Sequence, residues 1–420
     1  MRMLHTSDWH IGRRFRGLDL LDLQAKALDW LIDTIQQEHV DVLCVGGDIY
    51  DLPFPSAKAV ELFSTVFERL GSLQVNGHPL QIVMVPGNHD SAARLGVGSD
   101  LLRSNIHMRC NVAAIADPVD IRINNEHLLV YAVPFLDPDT SRQTLEQLTG
   151  HAVASSHADA MRAALELIEA NLQQQRQADP HVAATMLVPA YVSGTHQVDS
   201  ERGICVGGVD SVPASLFSDS QLDYIALGHL HTAQQVTIPV VAADQRPPIA
   251  QYSGAILAYS FSEATVPPRR GNGKQVMLVD FDTHDAATPC TVQAVDVQSD
   301  QPALVSLTDT VQNLISKEAP LHRDDWVSLT LETKGPIQRR EYQQLGEAFH
   351  HILEKRVVYM DSKREYKRVV PEVATYADEL GILESFVQYS YGRAATDAEL
   401  KVLRTAVERV HAKQAASDEQ

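Results

Sequence analysis

Residues 80–90 read Leu-Gln-Ile-Val-Met-Val-Pro-Gly-Asn-His-Asp, a short apolar run that is followed, after Pro-Gly, by amide, imidazole and carboxylate side chains. Three other stretches have the same form: 2–10 (Arg-Met-Leu-His-Thr-Ser-Asp-Trp-His), 40–48 (Val-Asp-Val-Leu-Cys-Val-Gly-Gly-Asp) and 222–231 (Leu-Asp-Tyr-Ile-Ala-Leu-Gly-His-Leu-His). Runs of this kind predict buried strands. Because open α/β sheets bind ligands beyond the carboxyl ends of their strands, the four endings predict one shared site.

The rest of the chain predicts an α/β core followed by two smaller parts. Apolar residues at three- and four-residue spacing predict helices over 20–35 and 57–70, and polar helices at about 137–182 suggest an insertion in a core spanning 1–297. A helix at 308–317, a strand at 326–331, a helix at 340–355 and a strand at 357–360 predict an α/β capping domain over 298–370. Residues 371–420 carry helical patterns alone, and Thr396-x-x-Glu399 is a capping box.

Composition excludes several classes of protein. The net charge of −19, from 35 Lys and Arg against 54 Asp and Glu, argues against non-specific polyanion binding without local basic patches or bound metal. With no run of about 20 apolar residues and no apolar leader, we expect neither a transmembrane helix nor a signal peptide. The cysteines form no C-x-x-C pair, which favours a reducing cytoplasm over a zinc knuckle or a disulfide scaffold; they are Cys44, Cys110, Cys205 and Cys290.

The four strand endings carry six candidate metal ligands: Asp8, His10, Asp48, Asn88, His229 and His231. Carboxylate, imidazole and amide donors suit Mn²⁺, Fe²⁺ or Zn²⁺. Residues i and i+2 of extended backbone point the same way, so each Asp-x-His or His-x-His pair can converge on one site. A carboxylate such as Asp48 can bridge two cations about 3.5–4 Å apart, as in two-metal hydrolases. Each fragment alone is common, but four in this order predict a metal centre.

The series D-x-H, G-D, G-N-H-D and G-H-x-H resembles the calcineurin-like metallophosphoesterases. Further motifs at 200–202 (Ser-Glu-Arg), 206–209 (Val-Gly-Gly-Val) and 251–254 (Gln-Tyr-Ser-Gly) resemble, within that family, the nuclease subunits that work with an SbcC-type ATPase. The resemblance implies an α/β fold with a two-sheet core and covering helices, a small capping domain, and C-terminal helices that bind the partner.

The resemblance also implies a role for each ligand. One metal would be held by Asp8, His10, Asp48 and His231, and a second by Asp48, Asn88 and His229. His89 would lie beside the scissile phosphate and steer or protonate the transition state. The implied cofactors are two divalent metal ions, and the family's metal is Mn²⁺.

One position departs from the family pattern. The family has a further histidine ligand of the second metal in a His-Ala-Phe-Val-x-Gly type segment, and Pro189 stands in its place here. Proline has no donor side chain, and His181 and His196 are out of register. The second metal is therefore expected to bind more weakly, or to be completed by water or substrate.

The resemblance implies double-strand exonuclease and single-strand or hairpin endonuclease activity on DNA. It also implies an SbcC-type ATPase with coiled coils as partner, and a homodimer within a heterotetramer. Two alternatives stay open: a small-molecule phosphodiesterase of the same fold, and an architectural subunit weakened by Pro189.

Smaller features near the metal motifs have two interpretations each. Arg13, Arg14 and Arg16 follow the first motif, either as contacts to the DNA backbone or as a solvated basic cluster. Asp51 either orients a ligand or only forms a turn, whereas Asp90 is expected to brace its loop by hydrogen bonds.

Overall fold

The computed structural model describes residues 1–196, 199–201, 211–241, 246–282, 290–360, 383, 387 and 393–405. Met1–Met360 forms one compact unit and Asp361–Gln420 a second. Two predicted features, Arg202 and the 206–209 motif, lie outside the described residues. Within them, no helix is both long enough and apolar enough to cross a membrane.

The described chain forms nineteen strands. They are β1 (Arg2–Thr6), β2 (Arg14–Phe15), β3 (Leu18–Asp19), β4 (Val42–Gly46), β5 (Gln74–Val75), β6 (His78–Pro79), β7 (Gln81–Val85), β8 (Ile106–Met108), β9 (Val119–Ile123), β10 (Glu126–Ala132), β11 (Ala183–Pro189), β12 (Tyr224–Gly228), β13 (Gln234–Val236), β14 (Ile249–Tyr252), β15 (Gln275–Phe281), β16 (Cys290–Asp296), β17 (Leu304–Asp309), β18 (Trp326–Thr333) and β19 (His351–Tyr359).

The helices cover the sheets. They are α1 (Leu21–Gln37), α2 (Ala57–Ser72), α3 (Ala92–Leu95), α4 (Pro138–Thr149), α5 (His157–Ala178), α6 (Val311–Asn313), α7 (Ala319–His322) and α8 (Arg339–Ala348), with a π-helical turn at Leu314–Glu318 that joins α6 to α7. Short 3₁₀ turns occur at Ser99–Leu101, Val112–Ala114, Ala214–Phe217, Phe261–Glu263 and Arg270–Gly273.

Two six-stranded sheets form the centre of the molecule. The first has the order β16-β15-β1-β4-β7-β8, and the second has the order β13-β14-β12-β11-β10-β9. In the first sheet β1, β4, β7 and β8 are parallel, and in the second β10, β11, β12 and β14 are parallel. The carboxyl ends of the two parallel sets therefore supply the loops that carry the predicted ligands.

The core has four layers, helix, sheet, sheet, helix, which confirms the predicted α/β fold. Alternate residues of the strands explain the layering, because Met3 and Cys44 face the second sheet whereas Leu4 and Leu43 face the helices. His5 and Tyr224 also join the two sheets through a 3.0 Å hydrogen bond. Burying each large aliphatic side chain contributes about 1.5–3 kcal/mol, so both faces of these strands stabilise the fold.

The polar segment predicted as an insertion contains α4 and α5, which connect the adjacent parallel strands β10 and β11. α4 begins because Asp137 accepts hydrogen bonds from the N–H groups of Asp139 and Thr140, and it ends at Gly150, with φ of 78°. α5 buries Leu165, with its other apolar residues, in the core of the second sheet. The two helices thus form the outer layer of that sheet.

A third sheet, β17-β18-β19, packs with α6, α7 and α8 around its own apolar cluster. Here part of the prediction was wrong. The helix expected over 340–355 ends at Ala348, because residues from His351 onward pair in parallel with β18. Strand pairing therefore overrides the helical propensity of this stretch, and β19 replaces the short strand expected at 357–360.

In the second unit, residues 397–405 are helical. Thr396 N–H donates to the Glu399 carboxylate at 2.8 Å, and Glu399 N–H donates to Thr396 Oγ1 at 3.4 Å. This confirms the predicted capping box.

Candidate metal centre

The structure brings all six candidate ligands and His89 together where the carboxyl ends of the two sheets meet. They follow the ends of β1 (Asp8, His10), β4 (Asp48), β7 (Asn88, His89) and β12 (His229, His231). The donor atoms of Asp8, His10 and His231 lie within 4.8 Å of one another, and so do those of His10, Asp48 and His89. These five side chains are buried.

Four of the ligands have a left-handed backbone conformation, with φ of 54° at Asp8, 45° at His10, 49° at Asp48 and 100° at His229. Such a conformation costs about 1–3 kcal/mol for a residue other than glycine. Backbone hydrogen bonds hold it, because Asp8 N–H donates to Gly47 O at 3.0 Å and His10 N–H donates to Asp48 O at 2.8 Å. The fold thus forces these residues into turns that aim their side chains at one point.

Two glycines allow the loops to come this close. A Cβ atom on Gly87 would overlap the carboxylate and backbone of Asp48, and a Cβ atom on Gly228 would overlap the carbonyl group of Gly46. The second contact joins a strand end of one sheet to a strand end of the other. Any side chain at either position would push the ligand loops apart.

On the first-metal side, a chain of hydrogen bonds orients His231. Ser200 Oγ donates to Glu263 at 2.6 Å, so it accepts from Nδ1–H of His231 at 2.7 Å. Lys274 forms a buried ion pair with Glu263 and donates to the carbonyl oxygen of His231 at 2.8 Å. This leaves Nε2 of His231 unprotonated and 3.0 Å from Nε2 of His10, so both imidazoles face one small space.

Asp51 and Asp90 support the ligand loops. Asp51 Oδ1 lies 3.5 Å from Nδ1 of His10, and its carbonyl oxygen accepts from Nδ1–H of His89 at 2.8 Å. Asp51 is therefore an orienting residue. Asp90 accepts from the N–H groups of Tyr50 at 2.9 Å and of Ile49 and Gly87 at 3.0 Å each, so it braces the loops as predicted.

The second-metal side has fewer supports. Asn88 Oδ1 lies 3.1 Å from Nδ1 of His229, and the N–H group of His229 donates to both oxygens of Asp8 at 3.1 Å. Nε2 of His229 is buried and makes no hydrogen bond to any residue that the structure describes. Burying an unpartnered imidazole nitrogen is costly, so this atom fits a missing ligand better than a packing role.

Pro189 is the last residue of β11, and it pairs with Gly228 in the neighbouring strand. It therefore lies beside His229, where the family's histidine would be, and offers no donor. His181 precedes β11 at the opposite end of that strand, and His196 is exposed. Neither histidine replaces the missing ligand, which agrees with the register argued from the sequence.

A model of the family "Calcineurin-like phosphoesterase" matches residues 1–233, more than half of the chain and all the ligand motifs. The chain belongs to this family. It is also 30% identical over 422 residues, covering 95% of this chain and 96% of the relative, to the SbcD component of the nuclease SbcCD from Bacillus subtilis (strain 168). The resemblance seen in the motifs thus extends over nearly the whole phosphoesterase chain.

The solved structures that the chain resembles are more distant in sequence. TT1561 of Thermus thermophilus is 13% identical, with a TM-score of 0.38, over 71% of this chain and 99% of that one. The purple acid phosphatase PPD1 from yellow lupin seeds is 12% identical, with a TM-score of 0.37, over 70% of this chain and 53% of that one.

The structure places one of the three predicted arginines at the phosphoesterase site. Arg13 donates to the carbonyl oxygen of Ser200 at 2.5 Å and lies 3.4 Å from Asp51. Arg14 is exposed and donates to the carbonyl oxygen of Gly17, and Arg16 is exposed and pairs with Glu354. Arg14 and Arg16 therefore lie on the outer surface.

The pKa values of the buried carboxylates and imidazoles favour a bound cation. Burial raises the pKa of Asp8 to about 8, and burial followed by the charges of Asp8 and Asp90 raises the pKa of Asp48. Burial lowers the pKa of His10 to about 3 and of His229 to about 4. The imidazoles are thus held neutral, the form that binds metal, and a divalent cation would supply the charge that the buried carboxylates lack.

Sequence reasoning missed the residues behind His231. Ser200 was part of a quoted motif, but Glu263 and Lys274 belong to no motif and lie 63 and 74 positions along the chain from it. Neither residue lies near a metal motif in the sequence, so no sequence pattern links them to the candidate ligands. Only their burial as an ion pair, visible in three dimensions, reveals their function.

Proposed function

We propose that this chain is a metal-dependent DNA nuclease subunit that hydrolyses phosphodiester bonds with two divalent metal ions, Mn²⁺ foremost, in DNA repair and recombination. The observation that carries the proposal is the meeting of six buried or half-buried ligands and His89 at one sheet edge. The name of the Bacillus subtilis relative, a nuclease subunit, supports a nucleic acid as the substrate, and the resemblance of the motifs favours DNA. The activities we propose are double-strand exonuclease and single-strand or hairpin endonuclease.

The residues would divide between two cations that share Asp48. Asp8, His10 and His231 would complete the first group, and Asn88 and His229 the second. When bound, the cations neutralise charge on the phosphate and lower the pKa of water. The chain itself contributes the pre-set ligand geometry, because hydrogen bonds and turns fix the side chains before any ion arrives.

His89 would act on the phosphate as an acid or as a hydrogen-bond donor. Nδ1–H of its ring donates to the carbonyl oxygen of Asp51 at 2.8 Å, which fixes the ring and leaves Nε2 as the working atom. The ring centroid lies 4.6 Å from that of His10, so Nε2 is close to the metal ligands. A positioned group of this kind typically contributes about 10²–10⁴-fold to turnover.

The direct test offers the purified chain labelled linear duplex, hairpin and single-stranded DNA, with Mn²⁺ or with EDTA. We expect cleavage with Mn²⁺ and none with EDTA. Hydrolysis of a small phosphodiester such as bis-p-nitrophenyl phosphate without DNA cleavage would favour the small-molecule enzyme. DNA binding without cleavage, even in Pro189→His, would favour the architectural subunit.

We propose that the C-terminal helices, 371–420, bind an SbcC-type ATPase through its coiled coil. The sequence of this segment predicts helices with apolar faces, which suit a partner helix; most of the segment lies outside the described residues. A chain ending at about Pro371 should fold and bind Mn²⁺ but no longer co-purify with the ATPase. Aggregation of that chain would instead show that the helices pack on the body.

We also propose a homodimer within a heterotetramer, formed through an apolar surface around one cavity, consisting of Leu52, Phe54, Val60 and Val97. Two of these side chains, Phe54 and Val97, are exposed by 73% and 81%. The surface begins one residue after Asp51, so a second copy docked there would bring two sites close together. Phe54→Glu should shift the chain from dimer to monomer in analytical ultracentrifugation, whereas Val266→Glu, a change at an exposed valine elsewhere, should not.

Three of the cysteines, Cys44, Cys110 and Cys290, are free thiols. This supports the proposal that the chain works in the reducing cytoplasm.

A further inference from the structure

We propose that His157 supplies the imidazole that Pro189 cannot, and so serves as a ligand of the second cation. The inference rests on the proposed two-metal function and deepens it. It concerns a residue in the covering helix α5, about thirty positions before Pro189, outside every metal motif.

His157 is the first residue of α5, and its helix end is well fixed. Ser156 caps the helix by accepting from Asp159 N–H at 3.1 Å. The His157 ring lies 5.5 Å from the ring of Phe135, and the side chain is half-buried. The imidazole makes no hydrogen bond to any of the residues that the structure describes, so its nitrogen atoms are available.

Three contacts locate this imidazole beside the second-metal side. His157 lines one small cavity together with Phe135, Pro189 and Tyr191. The N–H group of Phe135 donates to the carbonyl oxygen of Pro86 at 3.0 Å, two residues before Asn88. On the other wall, the Tyr191 ring lies 6.3 Å from the ring of His229.

Pro189 forms the remaining wall of the cavity. It pairs with Gly228, the residue before His229, so the cavity lies against the strand position at which the family has its histidine. His157, at the start of α5, lines the same cavity. His229 follows Gly228 directly, and its Nε2 is buried without a partner among the described residues.

Electrostatics agree with this closeness. Burial lowers the pKa of His229, and the neighbouring rings of His89 and His157 lower it further. With the His157 imidazole added to the amide oxygen of Asn88, the imidazole of His229 and the carboxylate of Asp48, the second cation would have a mixed nitrogen and oxygen set suited to Mn²⁺.

The test measures Mn²⁺ binding to the full chain by the electron paramagnetic resonance signal of free Mn²⁺. Four proteins are compared: wild type, His157→Gln, Pro189→His, and the double variant. His196→Gln is the matched control, because that histidine is exposed and near β11. Circular dichroism confirms that each variant is folded.

We expect two Mn²⁺ per wild-type chain. In His157→Gln the affinity for the second Mn²⁺ should fall by about 10-fold or more, since loss of even a residue that supports a metal ligand typically lowers metal affinity by about 10–100-fold. The affinity for the first Mn²⁺ should be unchanged in His157→Gln, and the affinities for both ions should be unchanged in His196→Gln. The double variant should regain the second Mn²⁺, because a histidine at 189 restores the family's ligand.

Several outcomes would overturn the inference. Wild-type affinity for both ions in His157→Gln would mean that His157 is not a ligand, and failure of the double variant to recover would mean that the loss has another cause. A wild-type chain that binds one Mn²⁺ would also overturn it, while leaving a metal-dependent function standing. A wild-type chain that binds none would overturn the proposed function itself.

Discussion

The two halves of the candidate metal centre are built differently. On the first-metal side, Ser200 Oγ holds the ring of His231 at 2.7 Å through a chain that ends in the Glu263–Lys274 ion pair, whereas Nδ1 of His10 only lies 3.5 Å from the Asp51 carboxylate. On the second-metal side, Pro189 takes the place of the family's histidine, and Nε2 of His229 is buried without a partner among the described residues.

This difference predicts that the two sides bind their cations with different affinities. The first-metal side is pre-organised by hydrogen bonds that remain when no ion is bound, so it should bind tightly and early. The second-metal side relies on the ion to satisfy its buried atoms, so its affinity should be lower and more easily changed. Substitutions on the two sides should therefore have different signatures.

The largest effect is expected for Asp48→Asn, because Asp48 is the only residue assigned to both groups. We expect loss of nuclease activity beyond the roughly 10–100-fold typical of losing a supporting contact around a metal. Isothermal titration with Mn²⁺ should show both binding events weakened. Near-wild-type cleavage by this variant would remove the assignment of a shared ligand.

His89→Gln should lower the rate of phosphodiester cleavage without changing Mn²⁺ binding. Turnover should fall by roughly 10²–10⁴-fold while both Mn²⁺ ions stay bound, because the ring acts on the substrate. Single-turnover cleavage and Mn²⁺ titration on the same preparation provide the check. If Mn²⁺ is lost as well, His89 is a ligand, an arrangement that its closeness to His10 and Asp48 also allows.

Ser200→Ala should affect the first-metal side alone. Without this hydroxyl group, Nδ1 of His231 loses its acceptor, and we expect the first Mn²⁺ to bind about 10–100-fold more weakly. Ser220→Ala is the matched control, since Ser220 is also buried but donates to the carbonyl oxygen of Phe217 away from the site. Equal losses in the two variants would point to general destabilisation.

The smallest effect is expected for Pro189→His alone. The new imidazole should tighten the second Mn²⁺ by about 10-fold at most, and leave the first unchanged. The gain is limited because the strand end is shaped around a proline, which fixes φ and has no N–H group. Activity measured against Mn²⁺ concentration should shift little, because His157 is proposed to supply an imidazole already; a gain well above about 10-fold in affinity for the second Mn²⁺ would mean that His157 does not complete that side.

The meeting of the candidate ligands at one sheet edge could be predicted from the sequence because each position depends on a local rule. An apolar run followed by Gly-Asp or by Asp-x-His fixes both the strand and the direction of the donor, and parallel strands bring the endings together. The same logic placed α1 and α2, whose apolar residues follow the helical period. Asp90 was also predicted correctly, since its partners lie on neighbouring loops.

Other features depend on contacts between distant segments. Glu263 and Lys274 act on His231 because the chain returns to the site after β14. The spacing of residues in the sequence does not predict this return. The helix expected over 340–355 was wrong because pairing with β18 decides the conformation from His351 onward. The position of His157 beside Pro189 likewise arises from the packing of α5 on the second sheet.

Trp9 lies in sequence between the candidate ligands Asp8 and His10. Its side chain is fully buried, and its indole N–H group donates to Thr6 Oγ1 at 3.1 Å, so the ring cannot rotate freely. The protein therefore carries a natural optical reporter next to the first-metal side. In a variant with Trp30→Phe and Trp326→Phe, paramagnetic Mn²⁺ should quench the emission of Trp9, which would allow metal occupancy to be followed by fluorescence without any attached label.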